Sequence, residues 1–224
     1  PAVGSGVLLW ACLHVMLTLD SYCEGVRRGN NGYGPGTYEW GERSRHFVVN
    51  CLYGTDISEE AVELCRLRLW LAVALSEDDA QPLPDLELNI VKGDSLLMDC
   101  DPRIHSGKKG PNNQWEIEYD EIYKLENENR RLWTEFSTTA ASDSARQKEI
   151  RNSILSIRRT LAKIDPENHP TNGRIQLALQ YPHVFEDGRK RGFDLVIANP
   201  PYVRTQIIDK KLKKEYLSRW STLR

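Results

Sequence analysis

Apolar positions along this chain follow two rhythms. Short β-branched or alternating runs end on Gly, Asp or Asn, whereas longer stretches repeat at three- and four-residue steps. Phe47-Val48-Val49-Asn50-Cys51-Leu52-Tyr53 predicts a strand that delivers Gly54-Thr55-Asp56 to an edge. Leu86 to Val91 alternates as a strand should and closes at Gly93-Asp94, and Phe193 to Ala198 closes at Asn199-Pro200, where an Asn-Pro step breaks it. The stretch Val7 to Leu19 opens from the turn Gly4-Ser5-Gly6 and is too long for one strand, so it predicts a buried helix. Arg27 to Arg45, rich in Gly, Asn and Arg, reads as an exposed loop. Ser58 is placed to cap a helix begun by Glu59, Glu60 and Ala61, with Leu64, Leu67, Leu71 and Leu75 as its apolar stripe.

Between Cys100 and Arg191 the helical rhythm takes over. Ile122, Leu125, Leu132 and Phe136 recur with Asn129 in their series, then Ile150, Ile154, Ile157, Leu161 and Ile164 do the same, with Ser137 to Ser142 as the turn. Two antiparallel helices are expected, packed on each other or on the sheet. Such a hairpin either contacts DNA or a partner domain, or simply extends the scaffold. Apolar stripes usually bury themselves, which favours the scaffold. Three strand-like runs with helices between them are the grammar of an α/β, doubly wound parallel sheet. Residues 1–100 and 192–224 then form one domain, interrupted by a mainly helical insertion at 101–191.

Composition narrows the class. A chain of 224 residues that is 40% hydrophobic and 28% charged has enough material for one sizeable core. No uninterrupted apolar run approaches the roughly 20 residues that cross a bilayer, and no membrane role is expected. The five cysteines form no Cys-x-x-Cys pair, which fits a reducing cytoplasm, and the five histidines are scattered, so no metal is expected. The net charge of −2 divides into +7 over Arg189 to Arg224 and −9 over the remainder. A basic surface beside a site suits a polyanionic substrate, although the Lys210, Lys211, Lys213 and Lys214 run also fits a solvated helix face. The chain starts at Pro1, directly before its Gly-x-Gly turn, as a fragment would.

Strand ends are where open α/β sheets bind ligands, and the residues there share a chemistry. A glycine turn lets backbone approach a ligand closely, and an acid ending the next strand accepts both hydroxyls of a ribose; Gly4, Gly6 and Asp56 suit these tasks. The turn lacks the full dinucleotide spacing and any phosphate-binding Lys, so a nucleoside without phosphates fits better than NAD or ATP. Asp94 is placed to accept a proton from an adenine amine. Asn199-Pro200-Pro201-Tyr202 offers an amide, two carbonyls and a ring, which is equipment for holding a planar amine.

Four segments in order resemble S-adenosylmethionine-dependent adenine-N6 DNA methyltransferases, in particular the methylase portion of type IIG restriction-modification enzymes. Pro1-Ala2-Val3-Gly4-Ser5-Gly6 is similar to that family's first motif, with Val3 in place of its Cys and Leu8 in place of its Phe. Gly54-Thr55-Asp56-Ile57 with Ala61-Val62 and Arg66 to Leu71 resembles the second. Leu88-Asn89-Ile90 with Gly93-Asp94-Ser95-Leu96-Leu97 resembles the third, and Phe193 to Tyr202 the fourth. The resemblance covers both ends of the chain and skips its helical middle.

It implies a Rossmann-like methyltransferase sheet, partial here, with the helical hairpin inserted. Pro1, Ala2, Gly4, Ser5 and Gly6 would lie along the cofactor's methionine portion, Asp56 would hold its ribose, and Ile57 would lie on its adenine. Asp94, with Ser95 and Leu96, would serve the adenine amine end. Asn199, Pro200, Pro201 and Tyr202 would be the catalytic set for an adenine flipped from double-stranded DNA. The expected partners are that DNA and further segments of the same polypeptide on either side, without which these residues are expected to be inactive. Enzymes that methylate a protein glutamine amide carry the same tetrapeptide and are the alternative. The Arg66 to Leu71 run, the helical insertion and the basic end favour DNA.

Overall fold

A computed structural model describes residues 1–28, 39–79, 81–97, 115–139, 143–164, 176–185, 192–199 and 208–219. Two helices, α1 (Val7–Arg27) and α2 (Trp40–Asn50), precede a strand β1 (Gly54–Asp56), a crossover helix α3 (Glu59–Ala74) and a second strand β2 (Ile90–Lys92). A short 3-10 turn, Ser95–Leu97, leaves β2. The long helices α4 (Trp115–Thr138) and α5 (Ser144–Ile164) follow, then α6 (Leu177–Gln180) and α7 (Lys210–Arg219).

β1 and β2 pair in parallel, with Gly54 opposite Ile90 and Asp56 opposite Lys92. The Gly93 amide donates to the Asp56 carbonyl at 2.7 Å and prolongs this ladder by one step. On the other side of β1, the Val3 amide donates to the Thr55 carbonyl at 3.0 Å, so the chain leading into the glycine turn runs beside β1. Sheet alternation sends neighbouring side chains to opposite faces. Ile90 enters a core with Val3, Leu13, Leu17, Val48, Val62, Cys65, Leu69 and Val73 from α1, α2 and α3. Val91 and Leu88 face a second core with Leu132, Trp133, Phe136, Ile150, Ile154 and Tyr181. Helices therefore cover both faces of a parallel pair.

The helical middle matches its pattern. Leu132, Phe136, Ile150, Ile154 and Leu161 are buried. Glu135 of α4 pairs with Arg146 of α5, and Asn129 meets Arg158, so the contacts run in opposite chain directions and the two helices are antiparallel. Polar groups tie α6, and through it the hairpin, to the turn that leads into β2. Gln180 Nε2 donates to the Leu88 carbonyl at 2.9 Å and the Tyr181 hydroxyl to the Asn89 carbonyl at 3.0 Å. Arg158 reaches the same strip, donating to Gln180 Oε1 at 2.7 Å and to the Leu179 and Gln180 carbonyls at 3.2 and 3.1 Å. Desolvation of its partly buried guanidinium, which meets only neutral acceptors among the described residues, depresses its pKa to about 10.

Several expectations are corrected. Phe47 to Asn50 is the end of α2, not a strand, and the strand comes later, at Gly54–Asp56. Ser44 and Val48, four apart, turn one helix face to the core, and that packing outweighs the β-branched local preference. The supposed loop from Arg27 to Arg45 contains the start of this helix, while 29–38 lie outside the described residues. Leu86 to Asn89 is a turn, closed by the Asn89 and Ile90 amides on the Leu86 carbonyl at 3.2 and 3.0 Å, so β2 begins only at Ile90. Ser137 and Thr138 belong to α4 and not to a turn.

On α3 the buried stripe is Val62, Cys65, Leu69 and Val73, whereas Leu64, Leu67, Leu71 and Leu75 are exposed. Both sets have helical spacing, and the choice falls to the face whose small Cys65 admits the glycine turn. Ser58 does cap this helix, its hydroxyl accepting the Ala61 amide at 3.1 Å. Phe193 to Ala198 lacks regular strand structure, and Leu195 is 73% exposed. A strand takes its regularity from a hydrogen-bonded neighbour, and among the described residues the sheet contains β1 and β2 alone. Among the described residues, the expected doubly wound sheet is represented by one parallel pair flanked by helices.

By length and composition, the 21 residues of α1 suffice to cross a membrane, which the apolar run Val7 to Leu19 alone did not suggest. The expectation of a buried helix is corrected: only Leu13 and Leu17 of α1 are buried in the first core, while Val7, Trp10, Val15 and Leu19 are exposed, because a single face of the helix meets α2 and α3. Asp20 pairs with Arg43 of α2 through two bonds of 2.7 Å.

Candidate functional site

Three chain segments meet at the C-terminal edge of the parallel pair. The first is the glycine turn. The Gly6 amide donates to the Val3 carbonyl at 3.1 Å, and both Gly4 (φ 54°) and Gly6 (φ 81°) are in left-handed backbone conformations. Gly6 presses on α3, where an added Cβ would stand 2.8 Å from Cys65 Sγ and 3.0 Å from its Cα. Burial pushes the Cys65 thiol up to about 12, so it is packing material and not a nucleophile at neutral pH. Arg68 fixes the turn from the same helix, its Nε donating to the Ser5 carbonyl at 2.9 Å. Pro1 and Ala2 are half-buried beside it.

Asp56 is the second component. Its Oδ2 accepts the Gly4 amide at 2.8 Å and its Oδ1 accepts the Ser58 amide at 3.0 Å. One carboxylate thereby ties the glycine turn to the start of α3. Each carboxylate oxygen has two acceptor directions, so these two amide bonds do not saturate the group. Ile57, next along the edge, is 65% exposed and presents an open apolar face.

The third component is Asp94, one residue beyond the Gly93 step of the ladder. Its carbonyl accepts the Leu97 amide at 3.1 Å and holds the 3-10 turn in which Ser95 sits; the Leu96 side chain lies outside the described residues. Asp94 Oδ2 accepts the Tyr216 hydroxyl of α7 at 2.5 Å. Arg66 steadies the strand that presents it, with Nε and Nη2 donating to the Ile90 carbonyl at 3.1 and 2.6 Å.

The structure thus brings Gly4, Ser5, Gly6, Asp56, Ile57 and Asp94 to one edge, as the order of the sequence segments predicts. Asn199 is described as exposed, while Pro200, Pro201 and Tyr202 lie outside the described residues. Arg66, Arg68 and Tyr216 are additions. The Arg66 to Leu71 run, expected to favour DNA, supports the site from within: Trp70 Nε1 also donates inward, to the Pro84 carbonyl at 2.8 Å. Paired guanidiniums two residues apart within the otherwise apolar run from Leu64 to Ala74 were the available signal. For Tyr216 the sequence carries none, because its partner is 122 positions away.

Chemically, the edge offers two carboxylates and an apolar patch. That set matches a nucleoside whose hydroxyls and amine need acceptors and whose ring needs a flat apolar neighbour.

The sequence profile described as Eco57I restriction-modification methylase matches residues 50–223. This span begins after the glycine turn and includes Asp56, Asp94 and Asn199 to Tyr202. A Methanocaldococcus jannaschii protein carrying an unproven description as a type II restriction enzyme and methyltransferase is 33% identical over 104 residues. The alignment covers 43% of this chain and 8% of that relative's length. No solved structure matches the chain significantly.

Proposed function

We propose that this chain, which belongs to the Eco57I restriction-modification methylase family, carries the cofactor edge and base-side tetrapeptide of a DNA methyltransferase that uses S-adenosylmethionine to modify adenine N6. The observation that carries the reading is the Asp56 carboxylate, held between the Gly4 and Ser58 amides beside the exposed Ile57 and in line with Asp94.

These residues fit the cofactor. Asp56 would accept the ribose hydroxyls in its remaining acceptor directions, Ile57 would cover the adenine ring, and Asp94 would accept its amine. The Gly4 to Gly6 turn would admit the methionine portion because neither glycine carries a side chain. S-adenosylmethionine, when bound, supplies an electrophilic methyl group on sulfur. The chain's own task is then to hold the acceptor nitrogen. Adenine N6 is a weak nucleophile because its lone pair is delocalised into the ring. Asn199 Oδ1 and the Pro200 carbonyl would accept its two hydrogens and favour a pyramidal nitrogen, with Tyr202 stacked on the base. The surplus proton leaves the methylated nitrogen to solvent, so no general base or covalent nucleophile is needed.

Transfer of labelled methyl from S-adenosylmethionine by the full-length protein tests this, with duplex DNA and a glutamine-bearing protein substrate offered side by side. Label at adenine N6 supports the proposal. Label at cytosine or on protein alone overturns it. Asp56→Ala should weaken cofactor binding at least tenfold in calorimetry, and unchanged affinity would remove its assigned role.

A further inference from the structure

Resting on that reading, we propose that Tyr216 is a positioning residue of the cofactor site, acting through Asp94 to set how the site reads the adenine amine. Asp209 caps α7 by accepting the Lys211 and Leu212 amides at 2.9 and 3.2 Å, which fixes where the helix begins. Tyr216 lies six positions after the first residue of α7 and is buried, with the lysines Lys210, Lys211 and Lys214 exposed. Its hydroxyl reaches Asp94 Oδ2 at 2.5 Å, a short bond of the kind a neutral donor makes to an ionised carboxylate. Burial, the hydrogen bond and the charge of Asp94 all raise the phenol's pKa, so it stays a donor throughout the working pH range.

Two geometries are conceivable for a tyrosine at this edge: it fills the place of the cofactor ring, or it holds the carboxylate that reads the ring. Asp56 stands opposite Lys92 in the ladder, so Ile57 and Asp94 leave the sheet within a residue of the same level. Ile57 remains 65% exposed, which leaves the apolar face for the ring uncovered. Tyr216 therefore holds the carboxylate. By donating to one oxygen it fixes the plane of the group, and with it the direction in which Asp94 accepts a further hydrogen. The same bond anchors α7, whose first residue follows Tyr202 by eight positions, to the cofactor end of the sheet.

Calorimetry with S-adenosylhomocysteine and its deaminated inosine analogue tests this on the full-length protein. The inosine analogue puts a carbonyl oxygen where the amine was, so it faces Asp94 with an acceptor there, and its remaining donor, N1–H, lies one ring position away. Wild-type protein should bind the adenosine form at least tenfold more tightly. Tyr216→Phe keeps the ring in its packing, and it should lose most of that discrimination by weakening the adenosine form about fivefold or more while leaving the inosine form within twofold. Combined with Asp94→Asn it should add no further loss. Equal weakening of both ligands would mean that the tyrosine merely supports the fold, and unchanged discrimination would mean that it does not act at all; either overturns the proposal. Wild-type protein that binds neither ligand overturns the cofactor reading itself, and this inference with it.

Discussion

Replacing Gly6 with alanine separates two costs that the glycine turn conceals. At φ 81° the backbone is in the left-handed region, where an L-residue costs about 1–2 kcal/mol. The new Cβ would also stand 2.8 Å from Cys65 Sγ, 3.0 Å from its Cα and 3.2 Å from its Cβ. Part of that obstacle is backbone of α3, so rotamer change alone does not relieve it, and overpacking of this kind costs about 1–3 kcal/mol. The sum is about 2–5 kcal/mol, or a fall in Tm of about 4–20 °C for a chain of this size. Gly4 is the internal control. It has a similar conformation, φ 54°, but a Cβ there meets nothing within 4 Å, so only the conformational cost applies. Gly4→Ala should then lower Tm by about 2–8 °C. Thermal unfolding of the two variants measures the difference. Cys65→Ala in the Gly6→Ala background should restore part of the loss, because it removes the sulfur from the new methyl's path and leaves the backbone of α3 in it. Equal losses at Gly4 and Gly6 would refute the close approach of the turn to α3.

The remaining predictions concern the core, an imidazole and the base-side loop. Leu69→Ala should cost about 2–5 kcal/mol in urea unfolding and Leu67→Ala about 0.5 or less, since Leu69 is fully buried and Leu67 is 48% exposed; reversed costs would reinstate the other stripe of α3. Burial pushes the His183 imidazole down to about 4, beside the Tyr53 hydroxyl at 2.7 Å from its Nε2. The unfolded chain binds that proton below about 6.5 and the native protein only below about 4, so acid in this window favours unfolding, by up to about 3 kcal/mol. His183→Phe should flatten that part of the stability profile, and an unchanged slope between pH 6.5 and 4 would contradict it. Asn199→Ala in the full-length enzyme should reduce kcat about 10²–10³-fold while cofactor affinity stays within twofold, by analogy with removing one preorganised hydrogen-bonding group from an active site; loss of affinity instead would move Asn199 to the cofactor side.

What the sequence disclosed depended on how local the cause was. Ile150, Ile154 and Leu161 have one apolar face and no rival for it, so their helix was legible from spacing. Gly4, Asp56 and Asp94 were legible because strand-end chemistry narrows residue choice. α3 has two apolar stripes, and only the glycine turn resting on Cys65 decides between them. Phe47 to Asn50 combined β-branched residues with helical spacing from Ser44, and the long-range core settled the conflict. Tyr216 and Arg158 act across distances in sequence that no periodicity encodes.

The outward side of α3 remains oily along Leu64, Leu67, Leu71 and Leu75, while its inward side fills the core. A rod greasy on both sides confers adhesiveness on whatever carries it. Concentrated ammonium sulfate strengthens contacts between such surfaces, whereas it screens attraction between opposite charges. Taken by itself, this 224-residue chain should therefore cluster and salt out early as sulfate rises, and Leu67→Glu with Leu71→Lys should delay that precipitation without loosening the folded interior.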